Sequence, residues 1–421
     1  MTKVRFIHTA DLHLDTPFKG LASWNKDLAD KLKDATFKSF RKIVDLCHKE
    51  NVDFLIISGD IFESENKSLA AQLKFISELK RLSDSGIHAY FVCGNHDPLN
   101  SWLDTTQLPE NVNRFGSSKI EKFTYSKNKK PVADIHGISF QEKVVKDNLA
   151  LKYKLANNPA PVSIAVLHGT TGMAGPHENY APFKVANVLN RGFNYWALGH
   201  IHKRQIINES NPVIIYPGNP QGRDFGETGA KGCYLVEIDT NSKVNLTFVP
   251  VHIIRFEEIE VELKDEDKID RLPEKIERSK NNIKDFDDNA SYILRVKLTG
   301  RTSLHAHLNK PGEIDLLQEH FNEGQADQRN FTWIDRIELD ISPVIDLSQI
   351  EKGNDFTAEI IKAFYEYEED SNKVTELIKD IDEDLISYQI KNEINELTQY
   401  ELKAVLQKAK WKLMDLLIRE I

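Results

Sequence analysis

The sequence predicts an α/β fold built around a parallel sheet, and three observations lead to this prediction. Short buried strands alternate with amphipathic helices from residue 4 to residue 97. Each strand runs directly into a polar cluster: DLHLD, GD or GNHD. A βαβ alternation gives parallel strands with helices on the sheet faces, and such sheets bind ligands outside the carboxyl ends of their strands. We therefore expect the three clusters to meet at one edge of the sheet.

Each element follows from the spacing of its apolar residues. The first half of the order is strand VRFIHTA, helix Asp27–Glu50, strand DFLIISGD, helix Ser68–Leu82 and strand HAYFVCGNHD. A lysine-rich segment at 119–131 is predicted to form a hairpin or a loop. Further strands are predicted at 161–168, 193–202 and 213–218, and in GCYLVEI and VNLTFVPV.

The character of the sequence changes near Phe256. The strands FEEIEVEL, SYILRVKLTGR and FTWIDRIELDI, with helical stretches between them, predict a small α+β domain. From about Asp355 the chain lacks Gly and Pro, which favours helices. The predicted domains are 1–254, 255–345 and 346–421.

Length and composition fit a multidomain intracellular protein. The chain has 421 residues, which is more than one compact core normally holds. Of these residues, 40% are hydrophobic. Cys47, Cys93 and Cys233 form no CxxC pair, which argues against a disulfide framework or a zinc ribbon. No signal-peptide pattern and no membrane-spanning apolar run is found. We expect a soluble, cytoplasmic protein with no membrane association.

The net charge of −10 is unevenly distributed. Residues 1–250 carry +5, residues 251–350 carry −8 and residues 351–421 carry −7. The part predicted to carry the chemistry is mildly basic, although a charge of this size is also ordinary. The acidic average therefore does not exclude a polyanionic substrate.

Polar residues at successive strand ends form the set of ligands that two divalent cations require. One D-x-H motif or one buried histidine would be weak evidence, but here five clusters each follow an apolar strand. Carboxylate and amide oxygens with imidazole nitrogens suit paired divalent ions. The i, i+2 spacing puts both side chains on one face of an extended segment. The predicted metal ligands are Asp11, His13, Asp60, Asn95, His168, His200 and His202.

In order and spacing, the motifs DLH, GD, GNHD, LHG and GHIH resemble those of the calcineurin-like metallophosphoesterase superfamily. FIHTADLHLD and GDIFES resemble the DNA double-strand-break nuclease branch, of the SbcD type. YPGNPQGRDFGETGAKGCYLVEI is similar to the YhaO-type subgroup of bacterial DNA repair exonucleases. The resemblance implies a four-layer αββα sandwich, a small capping domain that helps bind DNA and a C-terminal helical segment. It also implies an SMC-like coiled-coil ATPase as partner, and a homodimer.

The resemblance implies a role for each matching residue. The first metal would be held by Asp11, His13 and His202 and the second by Asn95, His168 and His200, with Asp60 as the bridge. His96 would be the catalytic residue beside the metals, and Asp97 would bond to its imidazole and orient it. We expect Mn²⁺ to be the best activator, with iron or zinc as alternatives.

One position departs from the pattern of the branch. Three residues after the bridging aspartate, archaeal and eukaryotic members commonly have a histidine, and this chain has Glu63. A carboxylate would repel a polyanion unless it were paired or turned away. The departure weakens the case for a second phosphate-contacting group.

Three further features each admit two interpretations. Asp15 either supports the metal ligands or, as we favour, is a turn residue. Arg223 either contacts a phosphate or is a surface-loop arginine. The Lys122–Lys130 segment, with Phe123 and Tyr125, either follows a nucleic-acid backbone or, as we favour, is a solvated loop.

Two apolar stripes at helical spacing mark the C-terminal segment. Such stripes are usually core, but a segment beyond a completed domain has little left to pack on. By resemblance, we expect one stripe to dock on the ATPase coiled coil, with a helix-swapped homodimer as the rival. The stripes are Val374, Leu377, Ile378, Ile381, Leu385 and Ile386, and Leu402, Val405, Leu406, Ala409, Leu413, Leu416 and Leu417.

The leading functional hypothesis is a manganese-dependent DNA exo- or endonuclease subunit in double-strand-break repair. The first alternative is a small-molecule or nucleotide phosphodiesterase of the same superfamily, although small substrates need no capping domain. The second is a mainly structural DNA-binding subunit of the ATPase complex, although the set of metal-site residues is complete.

Overall fold

The structure, a computed structural model, divides into two compact units. The first comprises residues 1–260, 276–297 and 315–338, and the second residues 261–275, 298–314 and 339–421. The structure describes residues 3–16, 26–63, 68–101, 107–155, 157–171, 180–239, 241–283, 286–287, 289–369, 373 and 398–418.

Strands and helices alternate in the order expected for an α/β chain. The strands are β1 Lys3–Thr9, β2 Phe54–Ser58, β3 His88–Val92, β4 Val112–Arg114, β5 Glu121–Lys127, β6 Lys130–Ile138, β7 Val162–His168, β8 Tyr195–Gly199, β9 Gln205–Asn208, β10 Val213–Tyr216, β11 Gly232–Asp239, β12 Val244–Pro250, β13 Ile254–Leu263, β14 Ser291–Arg301 and β15 Thr332–Ser342. The helices are α1 Lys26–Lys33, α2 Ala35–Lys49, α3 Leu69–Asp84, α4 Ala186–Leu189, α5 Leu272–Asn281, α6 His305–Leu308, α7 Glu313–Asn322, α8 Leu347–Glu351, α9 Phe356–Glu369 and α10 Gln399–Ile418.

Two six-stranded sheets form the centre of the first unit. One has the order β12-β11-β1-β2-β3-β4, with β1 to β4 parallel and β11 antiparallel to β1. The other has the order β5-β6-β7-β8-β10-β9, with β6, β7, β8 and β10 parallel. The lysine-rich segment forms the predicted hairpin, β5–β6. A third sheet has the order β13-β14-β15.

Alternating side chains on β2 show how the layers stack. Phe54 and Ile56 belong to a core shared by both large sheets, whereas Leu55 and Ile57 belong to a core that includes Phe40 of α2. Successive strand residues point to opposite faces of a sheet. The first sheet therefore has helices on one face and the second sheet on the other.

The second sheet repeats this arrangement on β8. Tyr195 and Ala197 belong to the core between the sheets, and Trp196 and Leu198 pack with Tyr153 on the far side. Short helices, including α4, cover that far side. The predicted four-layer αββα sandwich is confirmed.

The helix predicted at 27–50 is two helices, broken at Asp34. Leu28 and Leu32 of α1 pack in a cluster with Phe256, while Phe40 of α2 packs against the first sheet. Ala35, the first residue of α2, still belongs to the cluster of α1, so the chain changes from one apolar surface to the other within the first turn of α2. The prediction of a single helix was wrong for this reason.

In the second unit, α10 packs on α9. Leu402 and Leu406 contact Phe364 and Tyr367, so part of the predicted docking stripe is covered by its own chain. The other predicted stripe, Val374 to Ile386, lies outside the described residues. Of the helices that the structure describes, none has the length and apolar character needed to cross a membrane.

Candidate metal centre

Backbone hydrogen bonds join the polar clusters that follow the first three strands. The N–H of Asp11 donates to the carbonyl of Gly59 at 3.0 Å, and the N–H of His13 donates to the carbonyl of Asp60 at 3.1 Å. The N–H of His96 donates to Oδ1 of Asp60 at 3.0 Å. The three clusters therefore meet at the carboxyl edge of the first sheet, as predicted.

Four of the candidate ligands have positive φ angles, which are rare for residues other than glycine. The angles are 53° at Asp11, 44° at His13, 49° at Asp60 and 104° at His200. Each such residue costs on the order of 1–3 kcal/mol and persists only where its surroundings hold it. The extended conformation predicted for D-x-H and H-x-H is wrong, because the chain turns at these residues rather than continuing the strand.

Glycines at the strand ends give the ligands room. A Cβ atom on Gly94 would lie 2.2 Å from Oδ1 of Asp60, and one on Gly59 would lie 2.4 Å from Nδ1 of His168. Gly59 also has a φ of +96°. Only glycine fits positions this close to side chains held on neighbouring strands.

Asp11, His13 and His202 form the first group of converging ligand atoms. One atom from each lies within 4.8 Å of the others. The two imidazoles face each other through their Nε2 atoms, which are 3.0 Å apart. Asp11 and His13 are each only 1% exposed. These are the three residues predicted for the first metal.

Asp60, His168 and His200 form the second group, again with ligand atoms within 4.8 Å of one another. Oδ1 of Asn95 lies 3.0 Å from Nε2 of His168 and 3.1 Å from Nδ1 of His200. Oδ2 of Asp60 lies 3.4 Å from Nε2 of His168 and 4.0 Å from Nε2 of His13. Asp60 thus lies between the two groups, and all seven predicted ligands come together.

The protonation states favour cation binding. Burial lowers the pKa of His13 to about 4, which leaves a neutral imidazole with a free lone pair. Burial alone would raise the pKa of Asp60, but attraction by His168 holds it well below the usual value. Burial raises the pKa of Asp11 to about 6, and attraction by nearby histidines limits the rise. Such a set of carboxylate, amide and imidazole donors fits paired divalent metals.

The orientation of the His168 ring is also set. Its Nδ1 donates to the carbonyl of Ser58 at 2.9 Å, so Nε2 faces Asn95 and Asp60. Burial would lower the pKa of this imidazole, but the charge of Asp60 raises it to about 9.

Sequence reasoning missed Glu227. Its Oε1 lies 2.6 Å from Nδ1 of His202. Arg223, four residues earlier, bonds both to Glu227 and to Glu63. Arg223 is therefore neither a free loop arginine nor available to a phosphate without breaking these bonds. The i, i+4 spacing in GRDFGETG was the available signal, but the partner His202 is distant in sequence.

The surroundings of His96 differ from the expectation. Its Nδ1 donates to the carbonyl oxygen of Glu63 at 2.8 Å. The carboxylate of Asp97 accepts backbone N–H bonds from Gly94 at 2.9 Å and Ile61 at 3.2 Å. The tight turn directs Asp97 back toward the strand ends. The Glu63 carbonyl, rather than Asp97, therefore accepts the hydrogen bond from Nδ1 of His96.

The structure also gives the contacts of the other two ambiguous features, and the Lys122–Lys130 segment is a hairpin rather than a solvated loop. Asp15 lies in a turn, and its Oδ1 accepts the N–H of Glu63 at 2.8 Å, which ties this turn to the segment after β2. Lys122 pairs with Asp134 at 3.4 Å. Phe123 and Tyr125 pack against the core between the sheets rather than toward solvent.

A sandwich of this kind, with paired carboxylate and imidazole clusters at its strand ends, defines a metal-dependent phosphoesterase. A family model described as calcineurin-like phosphoesterase matches residues 4–204. A second model, described as metallophosphoesterase YhaO, middle domain, matches residues 256–342. The chain belongs to the calcineurin-like phosphoesterase family and is a hydrolase acting on phosphoester bonds.

Three curated relatives illustrate the range of similarity. The chain is 35% identical over 334 residues to the uncharacterized metallophosphoesterase YhaO of Bacillus subtilis, covering 79% of this chain and 81% of that one. It is 27% identical over 257 residues to the DNA double-strand break repair protein Mre11 of Sulfurisphaera tokodaii, covering 58% and 64%. It is 24% identical over 269 residues to a subunit of the nuclease SbcCD of Bacillus subtilis, covering 56% and 66%. The match thus spans slightly less than two thirds of each of the last two proteins.

Proposed function

We propose that the chain is a manganese-dependent DNA nuclease that cleaves phosphodiester bonds at double-strand ends or hairpins. The observation that carries the proposal is the convergence of two carboxylates, one amide and four imidazoles from the strand ends of both six-stranded sheets. The similarity to proteins named for double-strand break repair and as part of a nuclease supports DNA as the substrate.

In this proposal the two groups of ligand atoms hold two metals. Asp11, His13 and His202 hold the first, Asn95, His168 and His200 hold the second, and Asp60 bridges them. When bound, such a pair would supply Lewis-acid polarisation of the phosphoryl oxygens and an activated water. Manganese suits the mixed oxygen and nitrogen donors.

His96 is the proposed proton donor to the leaving oxygen. Its side chain is 34% exposed, against 1% for His13 and 24% for His202. The Glu63 carbonyl accepts the hydrogen bond from Nδ1–H, so Nε2 faces the substrate, and in the imidazolium form its proton is the one transferred to the leaving oxygen. Such a general acid contributes roughly 10²–10⁴-fold to the rate.

The first test is hydrolysis of end-labelled duplex and hairpin DNA beside bis-p-nitrophenyl phosphate, with Mn²⁺, Mg²⁺ or EDTA. We expect manganese-dependent DNA cleavage that His96→Ala reduces by about 10²–10⁴-fold while metal content is unchanged. His48 on α2, whose ring nitrogens contact Val44, Arg81 and Ser85 rather than the centre, supplies the control, and His48→Ala should cleave normally.

The other outcomes separate the alternatives. If the chain cleaved the small ester but not DNA, the phosphoesterase activity would stand. DNA would then not be the substrate of the isolated chain. DNA binding without cleavage of either substrate would favour a structural subunit. A His96→Ala variant as active as the wild type would show that His96 is not the proton donor.

We further propose that residues 1–254 form the nuclease domain, 255–345 a capping domain that contacts DNA, and 346–421 a segment that binds a coiled-coil ATPase. Within α10, Leu402 and Leu406 face α9, while Val405 and Leu416 are 47% and 57% exposed. The exposed pair supplies the apolar contact for a partner helix.

Co-purification with the coiled-coil ATPase tests this segment. Val405→Asp with Leu416→Asp should abolish the complex and leave hydrolysis of bis-p-nitrophenyl phosphate unchanged. A retained complex would contradict the docking proposal. Conversion of a dimer to a monomer by the same substitutions would identify the surface as a homodimer contact instead.

A further inference from the structure

We propose that Arg223 is a positioning residue for one of the two metals. It binds two carboxylates, and each carboxylate holds a histidine of the first ligand group. The inference rests on the ligand roles proposed above. It adds that the affinity for one metal, but not for the other, depends on this guanidinium.

Glu63 orients His13. Its Oε2 lies 2.7 Å from Nδ1 of His13. A carboxylate beside Nδ1 keeps the proton on that nitrogen and leaves the lone pair on Nε2. Nε2 is the atom that faces His202 at 3.0 Å.

Glu227 does the same for His202. Its Oε1 lies 2.6 Å from Nδ1 of His202, closer than Nη2 of Arg223 at 3.1 Å, and the nearer carboxylate favours a proton on Nδ1 and a lone pair on Nε2. The Nδ2 of Asn219 donates to the other oxygen, Oε2, at 2.7 Å, which fixes the plane of the carboxylate. The two imidazoles thus present matching atoms to one point.

Arg223 links these two carboxylates. Its Nη1 donates to Oε2 of Glu63 at 2.7 Å, and its Nη2 donates to Oε1 of Glu227 at 3.0 Å. The side chain is 19% exposed, and those of Glu63 and Glu227 are 27% and 11% exposed. Two acids this close and this sheltered need a cation between them. The rigid fork of an arginine can bind both at once, and a lysine ammonium can do so less well.

The second ligand group lacks this dependence. Nδ1 of His168 donates to the backbone carbonyl of Ser58 at 2.9 Å, so no side chain is needed to orient it. Oδ1 of Asn95 lies beside both His168 and His200. Loss of Arg223 should therefore weaken the binding of one metal and leave the binding of the other unchanged.

Calorimetric titration of the full-length, metal-free protein with Mn²⁺ tests this asymmetry, with electron paramagnetic resonance to detect paired ions. The wild type should bind two ions. In Arg223→Gln, one site should weaken by about 10- to 100-fold and the other should change little. The resonance of the coupled pair should give way to that of a single ion, and Arg223→Lys should restore part of the lost affinity.

Two further variants keep the test sharp. Arg191→Gln removes an arginine that bonds only to carbonyl oxygens far from the centre, and both sites should remain intact. Glu227→Gln keeps an acceptor for His202 but removes the charge that binds Arg223, and it should weaken the same single site even if Arg223→Gln fails to fold.

Each remaining outcome is decisive. Two unchanged sites in a folded Arg223→Gln, or equal weakening of both, would overturn the inference and leave the proposed function standing. A wild type that binds no Mn²⁺ would overturn the proposed metal roles and the inference together.

Discussion

Oε2 of Glu63 accepts a hydrogen bond from Nη1 of Arg223 at 2.7 Å. This carboxylate occupies the position where the resemblance leads one to expect a histidine. Burial would raise its pKa, but the contact with His13 and the charge of Arg223 lower it to about 2. The acid is therefore ionised and already neutralised by its neighbours, so it does not oppose a polyanionic substrate.

This pairing predicts that Glu63→His, although it restores the residue common in related nucleases, lowers metal affinity. An imidazole cannot accept hydrogen bonds from both His13 and Arg223, and Arg223 would lose a carboxylate partner. We expect about a 10- to 100-fold weaker affinity for one Mn²⁺, measured by calorimetric titration.

Glu78→His is the matched control for this substitution. Glu78 also bonds to two arginines, Arg41 at 3.0 Å and Arg81 at 2.5 Å, but it lies on α3. The control should leave Mn²⁺ affinity unchanged. An affinity in Glu63→His equal to that of the wild type would show that the ion pair does not support His13.

Gly94→Ala should abolish metal binding at the bridge. The added Cβ would lie 2.2 Å from Oδ1 of Asp60 and would displace that carboxylate. Gly86→Ala is the control, because Gly86 has a φ of +76° but no atom within 4 Å of an added Cβ. It should cost roughly 1 kcal/mol of stability from the left-handed conformation alone and leave activity intact.

Metal analysis and thermal unfolding of both glycine variants give the comparison. A Gly94→Ala protein with full metal content would mean that Asp60 can move without leaving the site. Loss of metal in Gly86→Ala as well would attribute both effects to general destabilisation.

The strand ends could be predicted from sequence because each buried apolar run stops at polar residues, with a glycine before Asp60 and before Asn95. That local pattern located Asp60 and Asn95 without any knowledge of the fold. Glu227 could not be found this way, since its contact with His202 depends on how distant loops meet. The break at Asp34 was missed for a similar reason, because the apolar spacing does not reveal that α1 and α2 face different cores.

Mn²⁺ should raise the melting temperature by several degrees. A ligand at 100 times its Kd stabilises the folded state by about 2.7 kcal/mol. Asp60→Asn should remove most of this shift, because it removes the bridging charge. Asp134→Asn is the control, since Asp134 is equally buried, at 1% exposed, but bonds to Thr124 rather than to the centre.

Differential scanning calorimetry with Mn²⁺ or EDTA measures the shift. Asp134→Asn should melt lower than the wild type in both conditions and keep the full difference between them. An Asp60→Asn protein with the wild-type response to Mn²⁺ would contradict the bridging role.

His8 should contribute to the pH dependence of the free energy of unfolding. Ser58 donates its hydroxyl proton to the carbonyl of Ala197 at 3.0 Å, so it can only accept from Nε2 of His8, also at 3.0 Å. The Tyr195 hydroxyl, 2.9 Å from Nδ1, then donates to the free lone pair. His8 is therefore held neutral, and burial lowers its pKa from 6.5 to about 3.

Between these two pKa values the unfolded chain binds a proton that the folded chain does not. The stability contributed by neutral His8 is thus fully present above pH 6.5 and is lost as the pH falls toward 3. The slope approaches about 1.4 kcal/mol per pH unit. His8→Gln should be less stable at pH 7, because its hydrogen bonds are lost, but its unfolding free energy should fall less steeply with acid. Urea unfolding of both proteins in EDTA from pH 7 to pH 5 measures this, and parallel curves would show that His8 is protonated in the folded chain as readily as in the unfolded one.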